Sequence, residues 1–155
     1  EDNDEIIDIL SNVFGFIDDR QTIKSKISKR LNNGLSVKIK WNGKIVGCYL
    51  LAEKSIYDFI NDIEQNKLSD FKKDNTQINL PFTLSDRGLQ GISLAILPEY
   101  RNLDLGKKLK EYTLSLGYDY VWGVQDKKLS NIDFWKKSRI VFAESPDRYA
   151  TIKIL

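Results

Sequence analysis

At 155 residues the chain is long enough for one domain with a full hydrophobic core and too short to argue for two. Apolar residues make up 41% and charged residues 30%, no segment has the unbroken apolar length of a membrane span, and a net charge of +2 with interleaved signs gives no reason to expect nucleic-acid or membrane binding. With no His and a single Cys, the usual His-based triads, His metal sites, thiolate clusters and an internal disulfide are excluded, which leaves carboxylates, phenols, hydroxyls, amides and backbone groups for any chemistry.

The first periodic segment, NDEIIDILSNVFGFI, places Ile6, Leu10, Val13, Phe14 and Ile17 on one helical face, with Asp2 to Asp4 as caps and first-turn charge. In RQTIKSKISKR, residues 20 to 30, Ile23, Ile27 and Leu31 recur at helical spacing with cations between them. This reads as the solvated face of a second helix ending near Asn33 and Gly34, and not as a nucleic-acid surface. SVKIKWNGKIVGCYLLA alternates Val37, Ile39 and Trp41 inward, turns at Asn42 and Gly43, and continues through Ile45 to Ala52 as a hairpin. Cys48 lies in its apolar run as a small buried hydrophobe, and with no secretory signature ahead of Glu1 the expected setting is reducing and cytoplasmic.

Residues 55 to 90 are mixed: IYDFINDIEQ is helical through Ile56, Phe59, Ile60 and Ile63, and the remainder reads as loop with a short strand. GISLAIL leaves neither face polar and is expected to be a strand buried on both sides. Leu105, Leu109, Tyr112 and Leu116 share one face of a helix stopped by Gly117. YDYVWGV is a central strand, SNIDFWKK a short helix, and RIVFA with RYATIKIL a closing hairpin. This order implies an α/β fold with a mixed sheet flanked by helices.

Between GISLAIL and the helix after it, the loop 101 to 106 sits where a strand feeds a helix N-terminus. Unpaired amides and the positive helix end suit phosphate there, and Arg101, Lys107 and Lys108 add charge. The stretch LAILPEYRNLDLGKKL resembles motif A of the GNAT superfamily of acyl-CoA-dependent N-acyltransferases, with Ile96, Pro98, Arg101 and Gly106 in register. WNGKIVGCYLL resembles the hairpin before that motif, and YVWGVQDKKLSNIDFWKKSRIVF the strand, helix and strand after it. The resemblance implies a single domain over residues 1 to 155, a mostly antiparallel twisted sheet, and 55 to 90 as a variable insert.

It further implies acetyl-CoA as the acyl donor and a small-molecule or peptide amine as the acceptor. The loop residues Arg101, Asn102, Leu103, Asp104, Leu105, Gly106 and Lys107 would hold the CoA pyrophosphate, and Leu94, Ala95 and Ile96 would pair with the pantetheine arm. The strand at 120 to 125 would splay from the motif-A strand to admit that arm. Asn131 would hydrogen-bond the pantetheine or start a helix, and Phe14, Phe16 and 55 to 90 would shape the amine site. The acids Asp58, Asp62, Glu64, Asp70 and Asp74 would either attract a cationic amine or form a solvated helix face.

Three positions depart from the family pattern. Asp104 stands at the middle Gly, where its carboxylate is expected to cap the helix and point outward or else to oppose a pyrophosphate. Trp135 replaces the Tyr that protonates the CoA thiolate in many members; it would pack on core or pantetheine, leaving Tyr149, Ser130 or water for the proton. Gln90 occupies the register of a base-ordering Glu or His and can position water or the amine, while Glu99 is the nearest loop carboxylate. The expectation is direct transfer in a ternary complex, with a non-catalytic GNAT-fold binding or regulatory domain as the alternative.

Overall fold

The computed structural model describes residues 2–14, 19–28 and 35–155. In chain order its elements are α1 (Asp2–Phe14), α2 (Arg20–Ile27), β1 (Val37–Trp41), β2 (Lys44–Glu53), α3 (Ile56–Glu64), β3 (Gln77–Ile78), β4 (Gly88–Ile96), α4 (Leu105–Ser115), β5 (Tyr120–Asp126), α5 (Ile132–Ser138), β6 (Ile140–Glu144) and β7 (Arg148–Ile154). This is the α/β class that the sequence implies, seven strands of one mixed sheet with five α-helices among the described residues. None of those helices is long and apolar enough to cross a membrane. The chain falls into two compact units, residues 1–52 with 91–117 and residues 53–90 with 118–155.

In the first unit, α1 buries Ile6, Ile7, Ile9 and Leu10 against Ile23 and Ile27 of α2 and against Ile45, Cys48, Leu50 and Ala95 of the strands. Each such aliphatic side chain taken from water contributes about 1.5–3 kcal/mol. The cations Lys24 and Lys26 lie on the exposed side of α2, as the spacing requires. Asp19 starts that helix with its carboxylate accepting from the Thr22 amide at 2.8 Å, which holds its carboxyl below the usual range. Phe16, Ile17, Leu31, Asn33, Gly34 and the side chain of Phe14 lie outside the described residues.

The hairpin turns where expected, with Asn42 and Gly43 at φ +49° and +80°, the paired left-handed residues of a type I′ turn. Pairing shifts after Ile39, which opposes Gly47 while Lys40 opposes Ile45, so Val46 bulges out of the β1 ladder. Its carbonyl accepts instead from the Leu97 amide at 2.9 Å and ties β2 to the end of β4. Ile39 is buried, but Val37 is half-buried and Trp41 is exposed, contrary to the inward alternation. Trp41 is the last residue of an edge strand, opposite Lys44 beside the turn, and has little core to enter.

The other correction concerns β4. Leu89 and Ala95 are buried, whereas Gly91 to Leu94 and Ile96 are only half-buried, so the apolar run marks a strand whose middle stays accessible. Beyond it, α4 buries Leu105, Leu109 and Thr113 and stops at Gly117, whose φ is +76°.

The second unit contains the order β5-β7-β6-β3, with antiparallel pairing throughout. The helix α3 buries Ile56, Phe59 and Ile63, and the Phe59 ring lies 4.7 Å from Trp122, 5.3 Å from Phe71 and 6.0 Å from Phe142 between centroids. Residues 55 to 90 are therefore part of this core. The Tyr120 hydroxyl donates to the Ser85 carbonyl at 3.1 Å and accepts from the Ile56 amide at 3.0 Å, while Trp122 Nε1 donates to the Lys54 carbonyl at 2.8 Å. At Gly88 a Cβ would fall 2.5 Å from the Tyr120 ring, so only glycine admits that ring.

Two outcomes follow. Tyr120→Phe leaves the Ile56 amide and the Ser85 carbonyl without this partner and should lower the unfolding free energy by about 1–3 kcal/mol, read from urea denaturation. Burial pushes the Cys48 thiol from 9.0 up to about 12. The folded chain therefore holds this proton more tightly than the unfolded one, and the stability linked to it is present below pH 9.0 and lost as pH rises toward about 12. At neutral pH native Cys48 should resist alkylation that proceeds on the unfolded chain, which mass spectrometry of iodoacetamide-treated protein checks.

Candidate functional site

The joint between β4 and α4 begins with the Leu97 amide fixed on Val46 and continues through a 3₁₀ turn at Pro98–Tyr100. Arg101 Nε donates to the Ile96 carbonyl at 3.1 Å, drawing the start of the loop back onto the end of its own strand. Asn102 and Asp104 then adopt φ of +67° and +59°. Left-handed backbone disfavours most side chains by roughly 1–2 kcal/mol, and Asn and Asp are the residues besides glycine that enter it readily. Asp104 thus keeps the conformation that a glycine would supply.

That conformation corrects the expected cap. Asp19 and Ser55, whose side chains do cap α2 and α3, have extended backbone at φ −73°, ψ 168° and φ −67°, ψ 143°. Asp104 has φ 59°, ψ 18°, and its carboxylate makes no capping bond. The side chain reaches the first turn only from extended backbone, which Asp104 does not have. The Asp104 carbonyl still starts the helix by accepting from the Lys108 amide at 3.3 Å. The first turn of α4, Leu105 to Lys107, consequently carries no capping side chain from Asp104, and Arg101, Lys107 and Lys108 are exposed.

Gly106 is exposed, and a Cβ built there meets nothing within 4 Å. Asn102, Leu103 and Asp104 are exposed and Leu105 is buried under the helix. Of the strand residues, Ala95 is buried while Leu94 and Ile96 are half-buried. Glu99 is exposed in the 3₁₀ turn. The first unit therefore gathers Leu94 to Ile96, Glu99 and Arg101 to Lys107 along one strand, loop and helix.

The remaining expected residues lie in the second unit. Gln90 is half-buried in β4. Asn131 is exposed at the start of α5 and makes no side-chain cap. Trp135 is half-buried on α5 and not part of the core, with the Arg139 guanidinium 4.5 Å from its ring centre and Phe134 edge-on at 6.5 Å. Tyr149 in β7 lies across from Gln125 and Glu144, its ring 4.6 Å from Lys127 Nζ and 4.8 Å from Lys136 Nζ. Sequence reasoning gave no sign of these two cations, because Lys127 and Lys136 meet Tyr149 only through the fold.

The acids divide. Asp58 lines an open depression of about 570 Å³ with Glu53, Lys54, Ser55 and Asp86, whereas Asp62 pairs with Lys54 at 3.0 Å and Asp70 stands 3.7 Å from Arg148. Sequence reasoning also passed over Tyr49. Its hydroxyl lies 2.8 Å from where a Cβ would stand on Gly91. The available signal was Gly91 itself, since a glycine inside a strand often marks close approach.

No protein-family model and no curated protein sequence matches the chain. Solved structures do. A protein of Pyrococcus horikoshii OT3 matches with a TM-score of 0.67 at 13% identity, over 99% of this chain and 90% of that one. The PaiA N-acetyltransferase of Thermoplasma acidophilum, in complex with coenzyme A, matches with 0.59 at 11% identity, over 99% and 93%. A GNAT-like decarboxylase in complex with isobutyryl-CoA matches with 0.58 at 15% identity, over 99% and 94%. Acetyltransferases of the GNAT family recur among the other matches. The fold is that of the GNAT superfamily.

The left-handed Asp104 makes a stability prediction. Asp104→Gly should leave the unfolding free energy unchanged or raise it, whereas Asp104→Val should lower it by about 1–2 kcal/mol, as measured by urea midpoints on the two variants.

Proposed function

We propose that the chain is an acyl-CoA N-acyltransferase that moves an acetyl group from acetyl-CoA to a primary amine by direct attack in a ternary complex. The observation that carries this reading is the loop 97 to 106. Left-handed Asn102 and Asp104 leave the first-turn amides of α4 uncapped next to Arg101 and Lys107. A pyrophosphate suits that set of donors better than a neutral ligand does. In the second half of the reading a pantetheine arm follows the middle of β4, where Leu94 and Ile96 are only half-buried.

In this reading the reaction is driven by holding an amine beside a polarised thioester. Gln90 orients the amine or a water through its amide, and Glu99 is an exposed carboxylate of the loop. Asn131, Trp135 and Tyr149 belong to the second unit, and Tyr149 is a phenol held under two ammonium groups. The acceptor is a small-molecule or peptide amine, and the setting is the cytoplasm. A second reading, a GNAT-fold module that binds CoA without turnover, draws support from Trp135, whose indole cannot protonate a thiolate.

Gly106 separates binding from folding. Because a Cβ there meets open space, Gly106→Val should keep the melting temperature within a few degrees while filling the approach to the amides. The native chain should bind acetyl-CoA and CoA in calorimetric titration and Gly106→Val should not; equal binding by both would remove the loop assignment. Thiol release over an amine panel then distinguishes transfer from binding alone.

A further inference from the structure

In the first unit, residues of α1, of the start of β2 and of the end of β4 line an open depression of about 260 Å³. Its floor is apolar: Ile9 and Ile45 are buried members of the core, and half-buried Leu97 packs against that core. The helix supplies a polar rim. Glu5, Asp8 and Asn12 stand at i, i+3 and i+7, the spacing that brings side chains onto one face, and Ile9 shares that face. From the strand side the lining is closed by Lys44, the first residue of β2 after the Asn42-Gly43 turn.

The polar groups around this floor are unevenly satisfied. Asp8 is paired with Arg20 of α2. Glu5 and Asn12 have no hydrogen-bond or ion-pair partner among the described residues, and the Lys44 ammonium has only the Tyr100 ring, 5.5 Å from its centre. A cation over a ring at an exposed site is held weakly, and the four-carbon stem of a lysine lets its ammonium swing to a better partner. The lining therefore offers a carboxylate and an amide from the helix, a cation from the turn, and aliphatic surface between them.

A ligand with one charge would use only part of this. A bare amine leaves Lys44 without a partner, and a bare carboxylate meets Glu5 and Asp8 as like charges, whereas both charges on an aliphatic body answer every part of the lining. At about 260 Å³ the depression falls below the roughly 300–1,000 Å³ of clefts that take drug-sized ligands, which suits a smaller molecule.

We propose that this depression binds a small aliphatic zwitterion, a free amino acid, with its ammonium on Glu5 and the Asn12 carbonyl oxygen, its carboxylate on Lys44 and its carbon chain over Ile9, Ile45 and Leu97. The assignment does not draw on the acyl-CoA reading. It does adjoin the same loop: Ile45 precedes Val46, whose carbonyl holds the Leu97 amide at 2.9 Å. An occupant thus touches residues on both sides of the hydrogen bond that fixes where the loop begins.

Calorimetric titration of the native chain tests this with four probes. L-leucine carries its two charges at one end and ε-aminocaproate carries them at opposite ends, while isoamylamine and isocaproate are leucine without its carboxylate and without its ammonium. At least one zwitterion should bind at millimolar concentration or below, and both single-charge probes should bind roughly tenfold more weakly or worse; which zwitterion binds sets the charge separation. Glu5→Gln and Lys44→Met, both at exposed positions, should keep the native melting temperature and each weaken that binding by about tenfold or more. The zwitterion should also raise the melting temperature of the native chain more than that of either variant. No heat from either zwitterion overturns the site. Isoamylamine or isocaproate binding as tightly as the zwitterions, or zwitterion binding that survives either substitution, overturns the recognition of two charges that defines it.

Discussion

The geometry of the candidate site depends on a backbone constraint at two residues without glycine's freedom. Between Ile96, the last residue of β4, and Leu105, the first of α4, the chain passes through Asn102 and Asp104 in left-handed conformation. Both ends of that passage are fixed. The Leu97 amide is held by the bulged Val46, and the Arg101 guanidinium is turned back onto Ile96. An Asp in extended conformation at position 104 would bring its carboxylate onto the helix amides, as Asp19 does at α2. The left-handed turn keeps it off them, so the first turn of α4 stays uncapped behind a residue type that commonly caps.

Much of this architecture was legible from local pattern. Asn42-Gly43 specified its turn because both residues tolerate positive φ, and α3 announced itself through Ile56, Phe59 and Ile63. What escaped was what local pattern does not encode. Trp41 alternates like an inward residue, yet an edge-strand terminus offers it little to pack against. The apolar run at β4 implied burial on both faces, but apolar composition states a preference and not the presence of a neighbour. Asp104 was readable as a helix-starting residue and not as a left-handed one, because the two roles share a side-chain vocabulary. Tyr49 meets Gly91 across strands far apart in sequence, and only register brings them together.

The segment 55 to 90 makes the same point energetically. Its composition is loop-like over much of its length, and by comparison with a family pattern it reads as an addition. Yet Tyr120 binds its backbone at Ile56 and Ser85, Trp122 binds Lys54, and Phe59 and Phe71 supply aromatic contacts of the core. Buried Tyr and Trp need partners for their polar atoms, and here these are backbone groups of the segment and of Lys54 just ahead of it. The segment and the strands beside it therefore complete one another.

Both compact units are discontinuous in the chain, each interrupted by part of the other: 53–90 separates the halves of the first, and 91–117 those of the second. During synthesis, at roughly 5–20 residues per second, neither unit has all its strands and helices until its second half has been made. Residue 117 must clear the ribosome before α4 can join the first unit, and β7, which pairs with both β5 and β6, emerges after the other six described strands. Until then the apolar faces of α1, β2 and α3 wait without all their partners. The nascent chain thus has to delay much of the tertiary structure of these units until both of their halves have been made. A pause before residue 117 leaves both units incomplete, and one between there and β7 still leaves the second without the strand that joins its sheet.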